Sequence, residues 1–222
     1  DRPWLDITKM AIRGEANLVI VGKRNEKAED GRRLGTIAGK LIRKCPCHVW
    51  VIKPEHDLSH KNVIAATDLT EVGDDAVNIA WELSQHMKCQ LHVVHAWEVV
   101  RETSKRDGFL RVPEARVDAY VHQVKKRRES EMARLLEELN SRPNNHVLDC
   151  IEYKVHLVKG SPRKTIPTVA RAVQADMVVM GTVARTGIPG FITGNAAEMI
   201  LAQIESSVLA IKPAGFRTPV AG

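Results

Sequence analysis

Short apolar runs and longer amphipathic segments alternate along most of the chain. The short runs are typical of buried strands, and they lie at residues 62–67, 90–96, 151–158, 176–180 and 207–212. The segments between them place apolar side chains every three or four positions, which predicts helices at residues 74–87, 114–140, 161–174 and 194–204. Strands that alternate with helices in this way form βαβ units and a parallel sheet with right-handed crossovers. We therefore expect an α/β fold with an open five-stranded, mostly parallel sheet and helices on both of its faces.

The chain also repeats part of itself. A shift of 159 positions superimposes a segment near the start on a segment near the end without a gap, so that Gly22 meets Gly181 and Lys53 meets Lys212. A repeat of this length is a copied half-domain, because solenoid units repeat every 20–50 residues or so. The second copy follows a long stretch of strand and helix pattern, whereas the first copy follows only a few residues.

We expect two similar domains in tandem, the first of them incomplete. Residues 1–55 are predicted to be the C-terminal part of the first domain, 56–61 a linker, 62–213 a complete second domain and 214–222 a C-terminal tail. The rest of the first domain either lies outside this sequence or has degenerated. A piece of about 50 residues buries too little surface to be stable alone. We therefore expect it to pack against the second domain or against further chain.

Composition and charge exclude several classes of protein. The 222 residues are 44% hydrophobic, 27% charged and 4% aromatic, which is typical of a globular protein. No apolar run approaches the roughly 18 residues of a membrane-spanning helix, and the first residues carry no secretory signal pattern. Four cysteines without a framework spacing favour the reducing cytoplasm. The net charge of +6 is too diffuse to indicate nucleic-acid binding by itself.

Three predicted loops point to one place in the fold. In open α/β sheets, ligands bind in the crevice outside the carboxyl ends of the strands. Asp68 follows the first strand of the complete domain, Ala96 and Trp97 end the second, and a loop at residues 181–193 follows the fourth. The carboxyl ends of these strands are therefore the candidate binding site.

The loop after the fourth strand has the composition of an anion-binding loop. Residues 181–195 read GTVARTGIPGFITGN and lead from a buried strand into a helix. The glycines let backbone N–H groups approach a ligand closely, and the helix N-terminus adds unpaired donors and partial positive charge. Arg185 would add a cation. The alternative is a glycine-rich connection that only turns the chain, which is common in α/β folds.

The spacing of this loop resembles the nucleotide loop of the universal stress protein family, Gly-x2-Gly-x9-Gly-(Ser/Thr). Here the pattern stands as Gly181-x2-Ala184-x9-Gly194-Asn195. The resemblance extends over nearly the whole chain, and the tandem arrangement and the segment RKCPCHVWVIKP are similar to the two-domain, E-type bacterial members. It implies a stress-response regulator of the cytoplasm that is not an enzyme and that binds ATP or a related adenine nucleotide, with Mg²⁺.

The resemblance also implies the residues of the site. Asp68 corresponds to the acid after the family's first strand, which contacts the adenosine end, and Gly160 corresponds to the turn after the third strand. Together with the strand ends and the loop, the candidate nucleotide-binding residues are Asp68, Ala96, Gly160, Met180, Gly181, Ala184, Arg185, Gly194 and Asn195. We expect no catalytic residue and no protein metal ligand among them.

Two positions depart from the family pattern and leave other functions open. Ala184 replaces the second glycine, so a positive φ there would be strained. Asn195 replaces the hydroxyl that the family places on a phosphate, although its amide can still cap a helix and donate. The alternative is a ligand-independent adaptor whose domains pair, within the chain or as a homodimer, through the last strands at 49–52 and 208–211. A slow ATP hydrolase is a third hypothesis, but no residue stands out as the base for water.

Three further clusters have simpler interpretations. Cys45 and Cys47 form a C-x-C pair without the second pair of a zinc site, so we interpret them as a strand entry. His92 and His95 lie three apart on a strand and point to opposite faces, so they cannot share a metal. Residues 125–128 read KKRR on the long helix, but nearby glutamates dilute their charge, which favours a solvated helix face. We therefore expect neither a nucleic acid nor a membrane as partner.

Overall fold

The computed structural model of the protein describes residues 2–22, 35–53, 61–98, 114–141, 152–182 and 195–220. From residue 61 onward, helices and strands follow one another largely as the hydrophobic pattern predicts. The helices are α1 (Pro3–Arg13), α2 (Thr36–Lys44), α3 (Glu71–Met87), α4 (Glu114–Asn140), α5 (Pro162–Ala172) and α6 (Asn195–Gln203). The strands are β1 (Leu18–Gly22), β2 (His48–Ile52), β3 (Asn62–Ala66), β4 (Gln90–Trp97), β5 (Tyr153–Lys159), β6 (Met177–Gly181) and β7 (Ser207–Ile211).

These strands form one sheet in the order β1-β2-β7-β6-β3-β4-β5. Every neighbouring pair is parallel except β2 and β7, which are antiparallel. The predicted α/β class and mostly parallel sheet are confirmed, but the expected number of five strands is wrong, since the described residues form a sheet of seven. The two additional strands come from the N-terminal part of the chain. They extend the sheet because the edge of β7 offers backbone N–H and C=O groups that β2 satisfies.

The joint between β2 and β7 has local two-fold symmetry. Trp50 pairs with Leu209, and the sequence repeat relates the same two residues to each other. The hydrogen bonds that flank the joint obey the same symmetry: they run from Lys53 N to Ser207 Oγ and from Lys212 N to His48 Nδ1, both at 3.0 Å. A self-complementary contact of this kind joins two similar units as a two-fold dimer would. The strand pairing predicted from the sequence therefore occurs within the chain.

The sheet carries a hydrophobic core on each face. On one face, α3 and α4 cover alternate strand residues such as Val63, Val93 and Val179. On the other face, α1, α2, α5 and α6 cover the intervening residues, such as Ile64 and Val94. Because the central strands are buried on both sides, their sequences are continuous apolar runs and do not alternate with polar residues.

Equivalent strands of the two halves differ in exposure. Met177 and Val179 on β6 are fully buried, whereas their repeat counterparts on β1, Leu18 and Ile20, are 40% and 57% exposed. β1 is also the outermost strand at its end of the sheet. The N-terminal segment, residues 1–55, therefore has an apolar sheet face that is far less covered than the same face of residues 62–213.

Candidate functional site

The chain changes direction across the sheet between β3 and β6. From β3 it continues outward to β4 and β5, and then it returns to the other side of β3 to form β6 and β7. Ligands of open α/β sheets bind at such a switch point, outside the carboxyl ends of the two central strands. Ala66 and Met180 pair near these ends, so the segments that begin at Thr67 and Gly181 leave the sheet side by side. The structure thus places Asp68 and Gly181 at neighbouring strand ends.

Polar side chains hold the turn between β3 and α3. Thr67 Oγ1 accepts a hydrogen bond from Leu69 N at 2.9 Å. Asp68 Oδ1 accepts one from Thr70 N at 3.1 Å and another from the Thr70 hydroxyl. Leu69 has a positive φ of 59°, and Thr70 caps α3 by accepting from Gly73 N at 3.5 Å. These bonds order the turn, and they hold the exposed residue Asp68 at the crevice.

Two glycines allow α3, β6 and this turn to approach one another closely. A Cβ on Gly73 would lie 2.5 Å from Thr67 Oγ1 and 2.8 Å from Asp68 Oδ1, and a Cβ on Gly181 would lie 2.9 Å from Val72 Cγ1. Gly181 was predicted as a site residue and Gly73 was not, because the helix was expected to begin at residue 74 and it begins at residue 71. The signal that could have found Gly73 is a threonine able to cap a helix three residues before it.

The next two strand ends contribute backbone to the rim of the crevice. Gly160 follows β5, and its N–H donates to Trp97 O at the end of β4 at 2.8 Å. Its φ is +152°, and a Cβ would lie 2.9 Å from Thr165 Oγ1, so the position requires glycine. Ala96 is half-buried on β4. Met180 is only 5% exposed, and its side chain belongs to the core.

The remaining predicted residues belong to the loop before α6. Ala184, Arg185 and Gly194 lie outside the residues that the structure describes, so their place in the site stays a prediction. Asn195 is the first residue of α6. The structure therefore describes the Asp68 side of the candidate site, whereas the loop residues Ala184, Arg185 and Gly194 stay predictions from the sequence.

A buried histidine beside the turn was not among the predicted site residues. His95 on β4 is 4% exposed, and its Nδ1 lies 2.9 Å from Thr67 O. The pKa of His95 is lowered, mainly by burial and to a smaller extent by the Arg128 cation. The hydrogen bond to Thr67 and the nearby carboxylates act in the opposite direction but do not outweigh burial. The ring is therefore neutral at pH 7 and donates through Nδ1. The contact joins a residue of β4 to the residue that follows β3, so spacing within one strand could not reveal it.

Asp74, in the first turn of α3, is a second perturbed group near the turn. Burial, with the Glu138 carboxylate as the next cause, raises the pKa of Asp74 to about 6 against the attraction of Arg134. Its Oδ1 is buried and has no hydrogen-bond partner within the described part of the chain. A carboxylate in this position is destabilising when ionised, because burial removes water that protein donors do not replace.

The two cysteines of the C-x-C pair pack beside a buried lysine. Cys45 and Cys47 are buried, and their sulfur atoms are 3.5 Å apart. The Lys212 ammonium donates to Ile42 O near the end of α2 and lies 4.3 Å from the centroid of the Phe216 ring. Burial lowers the pKa of Lys212 to about 8. These contacts join the end of β7 and the tail to α2, which is a structural role.

The strand histidines have separate partners. His92 Nδ1 lies 3.0 Å from His156 Nε2, and the two rings stack with centroids 5.2 Å apart. Burial, followed by the effect of His156, lowers the pKa of His92 to about 4. Across the ranges that the structure describes, no group of three or more His, Cys, Asp or Glu side chains is placed to hold a metal ion.

The basic run on α4 is partly neutralised by its own helix. Lys125 lies 3.6 Å from Glu129, and Arg127 and Arg128 both contact Glu131, at 2.9 and 2.6 Å. Such pairs between side chains three or four positions apart are typical of solvated helix faces. None of the helices in the described ranges combines the length and apolar character that crossing a membrane requires.

Comparison with known proteins agrees with this architecture. The model of the universal stress protein family matches residues 1–53 and 59–212. Universal stress protein E of Photorhabdus laumondii is 27% identical over 235 residues, which covers 99% of this chain and 69% of that protein. Universal stress protein E of Escherichia coli K12 is 26% identical over 228 residues and covers 99% of this chain and 68% of that protein.

Solved structures show the same fold. A functionally unknown protein of Pseudomonas aeruginosa PAO1 superimposes with a TM-score of 0.71 at 22% identity and covers 96% of this chain and 69% of its own. A universal stress protein of Archaeoglobus fulgidus superimposes with a TM-score of 0.60 at 19% identity, over 95% of this chain and 66% of its own. Since the family model covers most of the chain and both of the relatives above are E-type proteins, the chain belongs to the universal stress protein family as an E-type member.

Proposed function

We propose that this protein acts as a cytoplasmic stress-response regulator that binds an adenine nucleotide in the switch-point crevice. ATP is the first candidate, with Mg²⁺ bound through the nucleotide. The observation that carries the proposal is the position of Asp68 and Gly181 at the carboxyl ends of β3 and β6, where the register of Ala66 with Met180 sets them side by side. An exposed carboxylate accepts hydrogen bonds from the hydroxyl and amino groups of a nucleoside.

The chemistry of the crevice fits the two ends of such a ligand. Asp68 lies on one side, in a turn whose conformation is held by Thr70. On the other side, the chain from Gly181 leads to α6, which begins at Asn195. The N-terminus of a helix has unpaired N–H groups and partial positive charge, which stabilise phosphate oxygens. The net charge of +6 adds a general attraction for a polyanion.

We propose binding without catalysis. His95, the ionisable ring beside the turn, already donates its Nδ1 hydrogen to Thr67 O and is kept neutral by burial. Asp68 accepts two hydrogen bonds from Thr70 at one of its oxygens. We assign neither residue the activation of a water molecule. A nucleotide that binds the folded protein stabilises it by mass action, and the nucleotide-bound form would act as the signal.

Isothermal titration with ATP and MgCl₂ tests the proposal, together with native mass spectrometry for a co-purified nucleotide. We expect stoichiometric binding by the wild-type protein and a loss of at least about tenfold in affinity, or about 1.4 kcal/mol, for Asp68→Ala. Asp6→Ala is the matched control, since Asp6 is an exposed acid on α1 in the first half of the chain. Wild-type protein that takes up no nucleotide, or an Asp68→Ala variant that binds normally, would overturn the proposal.

A second candidate is a ligand-independent adaptor that assembles through its sheet. The observation in its favour is the apolar face of β1, where Ile20 is 57% exposed on the outer strand. Exposed apolar faces of this kind favour association with another chain. Light scattering on the wild type and on Ile20→Lys separates the candidates: assembly that Ile20→Lys abolishes supports the adaptor, and a monomeric wild-type protein that binds ATP contradicts it.

A further inference from the structure

The neutral ring of His95 connects two of the strands that end at the crevice. Its Nδ1 lies 2.9 Å from the carbonyl oxygen of Thr67, and the residue is 4% exposed. A carbonyl oxygen only accepts, so the hydrogen of the neutral ring must be on Nδ1. The bond thus runs from the end of β4 to the first residue after β3 and fixes the tautomer of the ring.

Thr67 is the residue through which the crevice turn is attached to the sheet. Its N–H donates to Val94 O at 3.0 Å, its carbonyl accepts from His95, and its hydroxyl oxygen accepts from Leu69 N at 2.9 Å. The carbonyl of Thr67 and the N–H of Asp68 belong to one planar peptide unit. The bond from His95 therefore sets the orientation of the peptide plane from which the Asp68 side chain starts.

The other ring nitrogen has no comparable role. Within the described ranges, the buried Nε2 of His95 has no hydrogen-bond partner. The charged groups that influence the ring are Arg128 and Glu131 on α4 and Asp68 in the turn. Since Nδ1 makes the hydrogen bond and Nε2 makes none, the orientation of the ring follows from the bond to Thr67.

We propose that His95 is a positioning residue for nucleotide binding, which acts on Asp68 through the Thr67 carbonyl. This inference rests on the proposed function of the crevice. Spacing and burial alone would class His95 as a core residue of β4. The inference is that His95 controls the direction of the Asp68 carboxylate. The function requires a hydrogen donor at the position of Nδ1, and it does not require the aromatic ring as such.

Two substitutions of opposite character separate this role from simple packing. His95→Asn keeps a donor close to the position of Nδ1 and loses ring volume, whereas His95→Phe keeps ring volume and loses the donor. A positioning role predicts ATP affinity within about threefold of the wild type for His95→Asn and a loss of at least about tenfold for His95→Phe. A packing role predicts the reverse order, because the larger cavity then belongs to asparagine.

Hydrogen exchange of the amides at residues 67–73 gives a measurement that needs no ligand. We expect faster exchange in His95→Phe than in the wild type and little change in His95→Asn. His92→Phe is the control, since His92 is a buried histidine of the same strand whose ring contacts His156 and Asn62 and not Thr67. Unchanged exchange in His95→Phe, or equal loss of ATP affinity in both His95 variants, would overturn the inference. If the wild type binds no ATP, the proposed function fails, and the exchange data alone decide whether His95 positions the turn.

Discussion

Replacing Gly73 by alanine should destabilise the protein, although alanine is the better helix former. Gly73 lies in the first turn of α3, directly against the turn that carries Asp68. A Cβ there would lie 2.5 Å from Thr67 Oγ1, 2.8 Å from Asp68 Oδ1 and 3.0 Å from Asp68 N. Because the last of these is a backbone atom, rotation of the neighbouring side chains cannot remove the whole overlap. Either the start of α3 or the turn must move.

Two opposing effects determine the magnitude of the change. Alanine in place of glycine stabilises a helix interior by about 1 kcal/mol. Overpacking at a closely packed position costs about 1–3 kcal/mol, and three simultaneous contacts at or below 3.0 Å place Gly73 at the upper end of that range. We therefore expect a net loss of about 1–2 kcal/mol in the free energy of unfolding. For a chain of this length, that corresponds to a melting temperature lower by about 3–6 °C.

Urea unfolding with linear extrapolation measures the free energy of unfolding of Gly73→Ala. Gly22→Ala is the matched control, because a Cβ on Gly22 has no atom within 4 Å. We expect the control to match the wild type and Gly73→Ala to bind ATP more weakly as well, since relief of the contacts displaces Asp68. A Gly73→Ala variant that is as stable as the wild type would refute the packing argument, because helix propensity would then outweigh the contact.

Three other predictions follow from single residues. The folded-state pKa of about 6 for Asp74 exceeds its ordinary 3.8, so the folded protein binds this proton more tightly and its stability falls as the pH rises from about 4 to 6. Asp74→Asn should remove this loss of stability with rising pH. It should raise the free energy of unfolding at pH 7 by about 1–2 kcal/mol, after allowance for solvent screening. A variant less stable than the wild type at pH 7 would contradict this prediction. The pKa of Lys212 is lowered from 10.5 to about 8, so the folded protein releases this proton more readily than the unfolded chain. Between pH 8 and 10.5, the free energy of unfolding of the wild type should therefore rise by up to about 3 kcal/mol relative to Lys212→Met. Free energies of unfolding that change in parallel with pH in the two proteins would contradict this prediction. Gly160→Ala should cost about 1–3 kcal/mol, because its φ of +152° and the contact of 2.9 Å with Thr165 Oγ1 both oppose a side chain; an unchanged melting temperature would contradict this.

The elements that the sequence predicted best are those with the strongest local pattern. The long helix was predicted at residues 114–140 and is observed at Glu114–Asn140, because its apolar stripe and its turn residues are both local features. The start of α3 was placed three residues late. Gly73 has a low helix propensity, and only the Thr70 cap and the close contact with the turn explain why it is helical.

Part of the candidate site could be predicted because the residues that follow each strand can be read from the sequence. The rule that ligands bind at the carboxyl ends of parallel strands led to Asp68 and Gly181, and the structure places them at the ends of two neighbouring central strands. His95 and Gly73 were not found. Their importance depends on their closeness to Thr67, which lies outside both of their elements, so spacing within one element does not reveal it.

The sequence by itself determined the class of fold, the order of strands and helices from residue 62 onward, and the repeat, because each of these follows from local apolar spacing or from residue identity. Only the tertiary structure decided that the repeated halves join through antiparallel β2 and β7 into one seven-stranded sheet, with Trp50 opposite Leu209. The same holds for the bond from His95 to Thr67. Strand neighbours and side-chain partners far apart in sequence are chosen by the burial of apolar faces and by the pairing of backbone groups, and both are properties of the assembled chain.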